Sequence, residues 1–327
     1  MIMVILLCGC QGSSGVRTYY AYSIYPVGYL LSRIGGNRIN TVSIQNNSIV
    51  QNATVAEDYR ETLEDSIFFY HIGNLEPYLD LYEKQIDATG VTEVDLSVNS
   101  IYAFKRYTPM VVNGTVNYVE SAYYDGDVFD YVDTYSDDLF IWLDPIGMLS
   151  MAKSVYNSLY SNYAEASSYF TDNYKALEND LIALDAAYQN LATAIRKDGR
   201  SIKFVSMTPS FGSWQKAYGF EVYPVCLSKY GALPTDSQLE IIKQRIIADG
   251  VQYIAYEPNM SADMMTLFSK LESELGLKRV NLSNISSLTV TQQTDNKDYL
   301  NLMYENLAVL ENIATSPTEE VNSEAGE

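Results

Sequence analysis

Asp137-Asp138-Leu139-Phe140-Ile141-Trp142-Leu143-Asp144-Pro145 is the stretch on which the reading of this chain turns. Ahead of it lies a less regular region, residues 93 to 135, with a Tyr/Asp-rich loop that includes Asp125, Asp127, Asp130 and Asp133. Behind it the pattern turns helical. Residues 146 to 163 form one helix, and a much longer one follows. There Phe170, Tyr174, Leu177, Leu181, Leu184, Tyr188, Leu191 and Ile195 fall four and three apart, a sustained helical seam. Roughly 30 residues at 1.5 Å each span about 45 Å. The spacing alone also suits a coiled coil. Asp198-Gly199 stops the run. A helix this long between two α/β segments predicts a rigid backbone shared by two lobes.

The flanks repeat one pattern. Arg17 to Tyr25 reads as a strand rich in β-favouring residues, closed by Pro26. Val27 to Ile34 has helical spacing and Gly35-Gly36-Asn37 stops it. Strands follow at 38–44 and 66–70, with helices at 58–63 and 76–85. Past residue 200 the alternation restarts: strands at 201–206, 221–225, 253–256 and 278–282, helices at 211–218, 237–249, 262–275 and 299–313. Alternation of this kind predicts parallel sheets with helices on their faces. The expected fold is α/β: two lobes, each with a small parallel sheet flanked by helices, joined by one long helix. The expected boundaries are 17–163 for the N-terminal lobe, 164–198 for the linking helix and 199–315 for the C-terminal lobe. Residues 316–327 form an acidic tail expected to be disordered.

The 327 residues suit two lobes, and 47% hydrophobic residues supply both cores. A formal charge of −20 and pI near 4.3 argue against nucleic acid, whose phosphates need Lys and Arg. They also argue against docking on an anionic membrane through a basic face. The 29 tyrosines suit interfaces, since each joins an apolar ring to a polar tip. Of the three cysteines, Cys226 reads as a small buried hydrophobe, while Cys8 and Cys10 sit at the N-terminus.

That N-terminus reads as an address. Residues 1–9 are apolar, Leu7-Cys8-Gly9-Cys10 fits a lipobox, and Gln11 to Gly15 form a Gly/Ser-rich spacer. Residues 1–16 are expected to be a lipoprotein signal and spacer, with lipid on Cys10 tethering the body to the membrane surface. No Lys or Arg precedes the apolar run. No other run reaches the length a spanning helix needs.

The chain resembles the zinc/manganese-type metal-binding lipoproteins that feed ABC importers. Residues 137 to 145 resemble that family's Asp-Pro-His-Ile-Trp-Leu-Asp-Pro signature. Ser23-Ile24-Tyr25-Pro26 with Ile34-Gly35-Gly36-Asn37-Arg38 is similar to its opening. So are Phe69-Tyr70 with Asn74-Leu75-Glu76-Pro77-Tyr78-Leu79-Asp80, Phe211-Gly212 with Tyr218-Gly219, and Tyr253-Ile254-Ala255-Tyr256-Glu257-Pro258. Tyr299-Leu300, Met303 and Glu305-Asn306-Leu307 resemble its close. The resemblance runs from about residue 17 to 313. It implies a ligand held between the lobes and handed to a permease, with zinc or manganese bound by three histidines and one further ligand, usually a carboxylate.

This chain departs at each ligand position. The first histidine falls near Val50, the second on Phe140, the third on Thr208 or Met207, and the carboxylate near Ser261, with Asp263 two residues on. A phenyl ring offers no lone pair, and hydroxyls are poor zinc ligands. His71, the only histidine, reads first as a structural residue beside Phe69 and Tyr70. If it lines the cleft, binding becomes pH-sensitive. Glu257 reads equally as a cleft residue or as a helix cap or ion-pair partner. The aspartate loop 125 to 138 reads as a solvated surface rather than a weak calcium or magnesium site. No nucleophile elbow or singled-out carboxylate pair points to catalysis.

Two readings of function follow. One is an extracellular, lipid-anchored, monomeric solute-binding protein of an ABC importer, with a permease as partner and a divalent metal or another solute as cargo. The other is a surface adhesion or interaction lipoprotein that has kept the fold and lost transport.

Overall fold

The computed structural model describes residues 17–46, 49–97 and 102–315. The expected signal with Cys10 and the acidic tail lie outside the described residues.

The N-terminal sheet contains β1 (Tyr19–Tyr22), β2 (Asn40–Ser43), β3 (Ser66–His71) and β4 (Thr92–Asp95). All pairings are parallel and the order is β2-β1-β3-β4. Helices α1 (Tyr25–Gly35), α2 (Tyr59–Glu64) and α3 (Pro77–Asp87) connect these strands. Pro26 and Pro77 stand in the first turns of α1 and α3, where a missing N–H costs nothing. Gly36 ends α1 at φ +53°, against the Tyr169 hydroxyl.

The less regular region between the two sheets contains two further strand pairs. Strands β5 (Tyr102–Ala103) and β8 (Asp137–Asp138) pair antiparallel. Strands β6 (Arg106–Val112) and β7 (Thr115–Ser121) form a hairpin. Its turn is Asn113-Gly114, both at positive φ, the conformation that lets a two-residue loop match the strand twist.

Helix α4 (Pro145–Asn162) begins at the decisive stretch, and α5 (Ser167–Lys197) follows after a 3₁₀ turn at Ala164–Ala166. The buried face of α5 carries Phe170, Tyr174, Leu177, Leu181, Leu184, Tyr188, Ala192 and Ile195. Ala192 replaces the expected Leu191, because a straight helix of 3.6 residues per turn drifts from a strict four-three spacing. The seam meets several shorter helices rather than a coiled-coil partner. Asn173 Nδ2 donates to the Ile34 carbonyl at 3.0 Å, and Arg33 pairs with Asp180 at 2.7 Å. Farther along, Tyr218 donates to Asp185 at 3.0 Å and Tyr188 donates to the Met303 carbonyl at 2.8 Å. One helix is thus fastened to both halves of the chain.

The C-terminal sheet, in the order β10-β9-β11-β12, is built from β9 (Lys203–Ser206), β10 (Glu221–Pro224), β11 (Tyr253–Tyr256) and β12 (Lys278–Asn281). It too is parallel. Helices α6 (Ser213–Tyr218), α7 (Asp236–Ala248), α8 (Ala262–Glu274), α9 (Val290–Thr294) and α10 (Tyr299–Thr315) complete the chain. The largest apolar cluster includes Ile24, Ile72 and Leu75 from strand ends of the first sheet. It also holds Phe211, Leu282 and Ile285 from strand ends of the second. The carboxyl ends of both sheets therefore meet at one seam, where open parallel sheets place their ligands.

Candidate inter-lobe site

The stretch 137–145 crosses this seam as a short strand, a 3₁₀ turn at Ile141–Leu143 and the start of α4. Asp144 caps α4, its Oδ1 accepting from Ile146 N at 2.9 Å, and burial raises its carboxyl to about 6. The Trp142 indole donates to the Asn284 carbonyl at 2.8 Å and the Trp214 indole donates to the Leu143 carbonyl at 2.7 Å. The Tyr299 hydroxyl donates to the Trp142 carbonyl at 2.6 Å. Three bonds thus clamp the stretch to the C-terminal half. Buried indoles and phenols find such partners because an unpaired donor there is costly.

Phe140 is fully buried in this clamp. Its ring stands edge-on to Tyr135 at 5.7 Å and lies 5.5 Å from Trp142. Asp138 departs from the solvated surface expected for its loop. It is buried, its Oδ1 accepts from Phe140 N at 3.1 Å, and desolvation pushes it to about 7. Its Oδ2 lies against Gly212, where an added Cβ would come within 2.3 Å.

Glu257 follows β11 and is fully buried. Its Oε1 accepts from Met207 N at 2.8 Å and Thr208 N at 2.9 Å. Its Oε2 accepts from Thr208 Oγ1 at 2.5 Å and Asn284 Nδ2 at 2.9 Å. Burial raises the carboxyl and these four donors oppose the shift. Thr208 Oγ1 also lies 2.6 Å from Ser210 Oγ. Trp142, Asn284, Glu257 and Thr208 therefore form one buried chain of contacts.

The other expected residues lie in different settings. Val50 is buried in a 3₁₀ turn and packs in the main core. Ser261 caps α8, accepting from Met264 N at 3.3 Å, and Asp263 is exposed. His71 is not brought to Phe140, Thr208 or Glu257. Strand alternation puts Phe68 and Tyr70 in the main core, while Phe69 packs in a separate cluster with Leu79 and Ile86 of α3. His71 shares that second face. It stacks on Phe69 at 5.3 Å, its Nδ1 lies 3.0 Å from the Gly73 carbonyl, and its Nε2 lies 3.4 Å from Glu93 Oε2. Burial would lower its pKa. The Glu93 carboxylate, the Gly73 carbonyl and the Asp95 charge outweigh that, and the net shift is upward.

Among the described residues no three His, Cys, Asp or Glu side chains converge as a metal site. Sequence reasoning missed Asn284, Asp138 and Glu76. Glu76 stands just before α3 with both oxygens buried and without hydrogen-bond geometry to any protein group. Desolvation raises it to about 7, with the neighbouring Ser23 hydroxyl and His71 pulling the other way. The Glu-Pro pairs at 76–77 and 257–258 were signals already in view.

Residues 21–313 match the family model described as ZnuA, zinc-uptake complex component A periplasmic. A zinc-binding protein AdcA of Streptococcus pyogenes serotype M6 is 26% identical over 173 residues, covering 53% of this chain and 32% of that protein. The high-affinity zinc uptake system protein ZnuA of Bacillus subtilis is 23% identical over 177 residues, covering 54% of this chain and 53% of that protein. The chain spans about a third of the length of the first of these relatives. Zn(II)-bound AdcA from Streptococcus pneumoniae superposes with a TM-score of 0.68 at 17% identity, over 95% of this chain and 60% of that one. The laminin-binding protein Lmb of Streptococcus agalactiae, described as a bifunctional protein with adhesin and metal transporting activity, superposes with a TM-score of 0.68 at 19% identity. That match covers 91% of this chain and 99% of that one. At such identities the structural likeness speaks for the fold.

Proposed function

The chain belongs to the zinc-uptake complex component A family, and we propose on that premise that it is the extracellular solute-binding component of an ABC importer of the zinc/manganese type. Its work is binding and delivery to a membrane permease rather than catalysis. Lipid on Cys10 would hold it at the outer face of the cell membrane, and it would act as a monomer. The observation that carries the reading is the meeting of two parallel sheets' carboxyl ends at one seam, braced by α5. A helix fastened to both halves limits lobe motion to small adjustments.

The relatives' names speak of zinc. In this chain the positions that resemble the ligand set carry Val50, Phe140, Thr208 and Ser261. The buried carboxylate bonded to Thr208, that of Glu257, has each oxygen engaged by two donors. Zinc asks for imidazole, thiolate or free carboxylate, so these residues do not fit it in the relatives' manner. The cargo is then a solute taken by another set of groups. Reconstitution tests the import reading. The lipidated protein should bind membranes that hold its cognate permease and ATPase and stimulate their ATP hydrolysis. No stimulation would overturn it.

A second reading, a surface interaction protein, draws support from the aromatic filling of the seam around Phe140 and from Tyr131, which is 95% exposed. Surface binding that survives loss of the permease would favour it.

A further inference from the structure

We propose that a cavity between the loops 127–133 and 225–238 binds a small organic cation, an ammonium group on a compact apolar body. The cavity is about 330 Å³, within the range that holds small ligands. Phe129, Val132, Leu227, Leu233 and Pro234 line its walls, and Asp133 also faces it. The loops come from opposite sides of α5 in sequence and are tied together. Gln238 Nε2 donates to the Val128 carbonyl at 2.7 Å, and Lys229 N donates to the Asp133 carbonyl at 2.9 Å. Tyr124 stacks on Phe129 at 5.6 Å and donates to the Pro224 carbonyl at 2.9 Å. Walls fixed this way spare a ligand the cost of ordering them.

Charge selects the ligand class. Asp125, Asp127, Asp130 and Asp133 are all exposed on one loop. Asp236 stands in the first turn of α7 and offsets the positive end of that helix. Lys229, next to the lining residue Ser228, lies 3.7 Å from Asp133 and 3.6 Å from Asp80, so two carboxylates already flank it. An anion entering here would meet a negative field, and a cation would be drawn in. Tyr131 presents its exposed ring beside the cavity, where an ammonium gains from the ring face. The apolar walls then cover the rest of the ligand.

This cavity shares no residue with the Phe140, Thr208 and Glu257 chain, so the inference stands or falls apart from the import reading. The test is calorimetric titration of the full chain with 3-phenylpropylamine and, at equal ionic strength, 3-phenylpropionate. The amine should bind one-to-one and at least about tenfold more tightly than the acid. Leu233 is 39% exposed, so Leu233→Lys leaves the fold intact and should abolish amine binding. Asp133→Asn should weaken it about two- to fivefold. Equal affinity for both probes, no heat from the amine at millimolar concentration, or unchanged amine binding in Leu233→Lys would each overturn the proposal.

Discussion

Glu257 and Glu76 are both fully buried and both followed by proline, and each stands past a strand end on its own side of the seam. Glu257 accepts four hydrogen bonds, two on each oxygen. Glu76 accepts none with good geometry, although it occupies the cap position of α3. The contrast comes from what each faces. Glu257 looks onto the turn after β9, which supplies two successive backbone N–H groups and one hydroxyl, and it also meets the Asn284 amide from the loop after β12. Glu76 has the Ser23 hydroxyl beside it, close enough to lower its pKa but without good hydrogen-bond geometry. One side of the seam is closed by the protein's own donors, while the other keeps unspent acceptors.

Four substitutions break or sharpen this contrast. Glu257→Gln should be the most damaging. It turns an acceptor of four bonds into a group that must point an NH₂ at donors, and a loss of about 3–4 kcal/mol is expected in denaturant unfolding. Glu76→Gln should do the opposite above neutrality. A carboxyl at about 7 when folded and near its ordinary value when unfolded favours folding at low pH. That advantage is lost as pH rises through 7. The amide does not titrate, so the variant should gain on the order of 2–3 kcal/mol relative to the parent between pH 5 and 8. Gly212→Ala drives a Cβ to within 2.3 Å of Asp138 Oδ2 and should cost about 1–3 kcal/mol. His71→Gln should cost under about 1 kcal/mol, since Glu93 is partly exposed and screened. The raised imidazole pKa makes that loss largest below pH 6.5, fading as pH rises through the folded value.

Much of the fold was legible. The four-three spacing of α5, the strand and helix alternation, and Pro26 and Gly36 at the ends of α1 all carried over into the structure. The hairpin β6–β7 carries its own signal, Asn113-Gly114 between Met110-Val111-Val112 and Val116, inside a stretch whose spacing is otherwise irregular. The seam was harder. Glu257 meets Met207, Thr208 and Asn284 across 50, 49 and 27 positions, and only the register of three loops brings them together. For His71, alternation within Phe68-Phe69-Tyr70-His71 separates two faces. Nothing in those four letters says which face looks toward α4; the Tyr70 hydroxyl 2.9 Å from Ser158 Oγ settles that.

Titration of the chelator-stripped full chain with zinc and with manganese tests the central claim most directly. With Phe140 filling the seam and Glu257 engaged by four donors, no one-to-one site tighter than micromolar should appear for either metal. Stoichiometric sub-micromolar binding that Glu257→Gln abolishes would contradict it, since the carboxylate would then have to exchange its four donors for the metal.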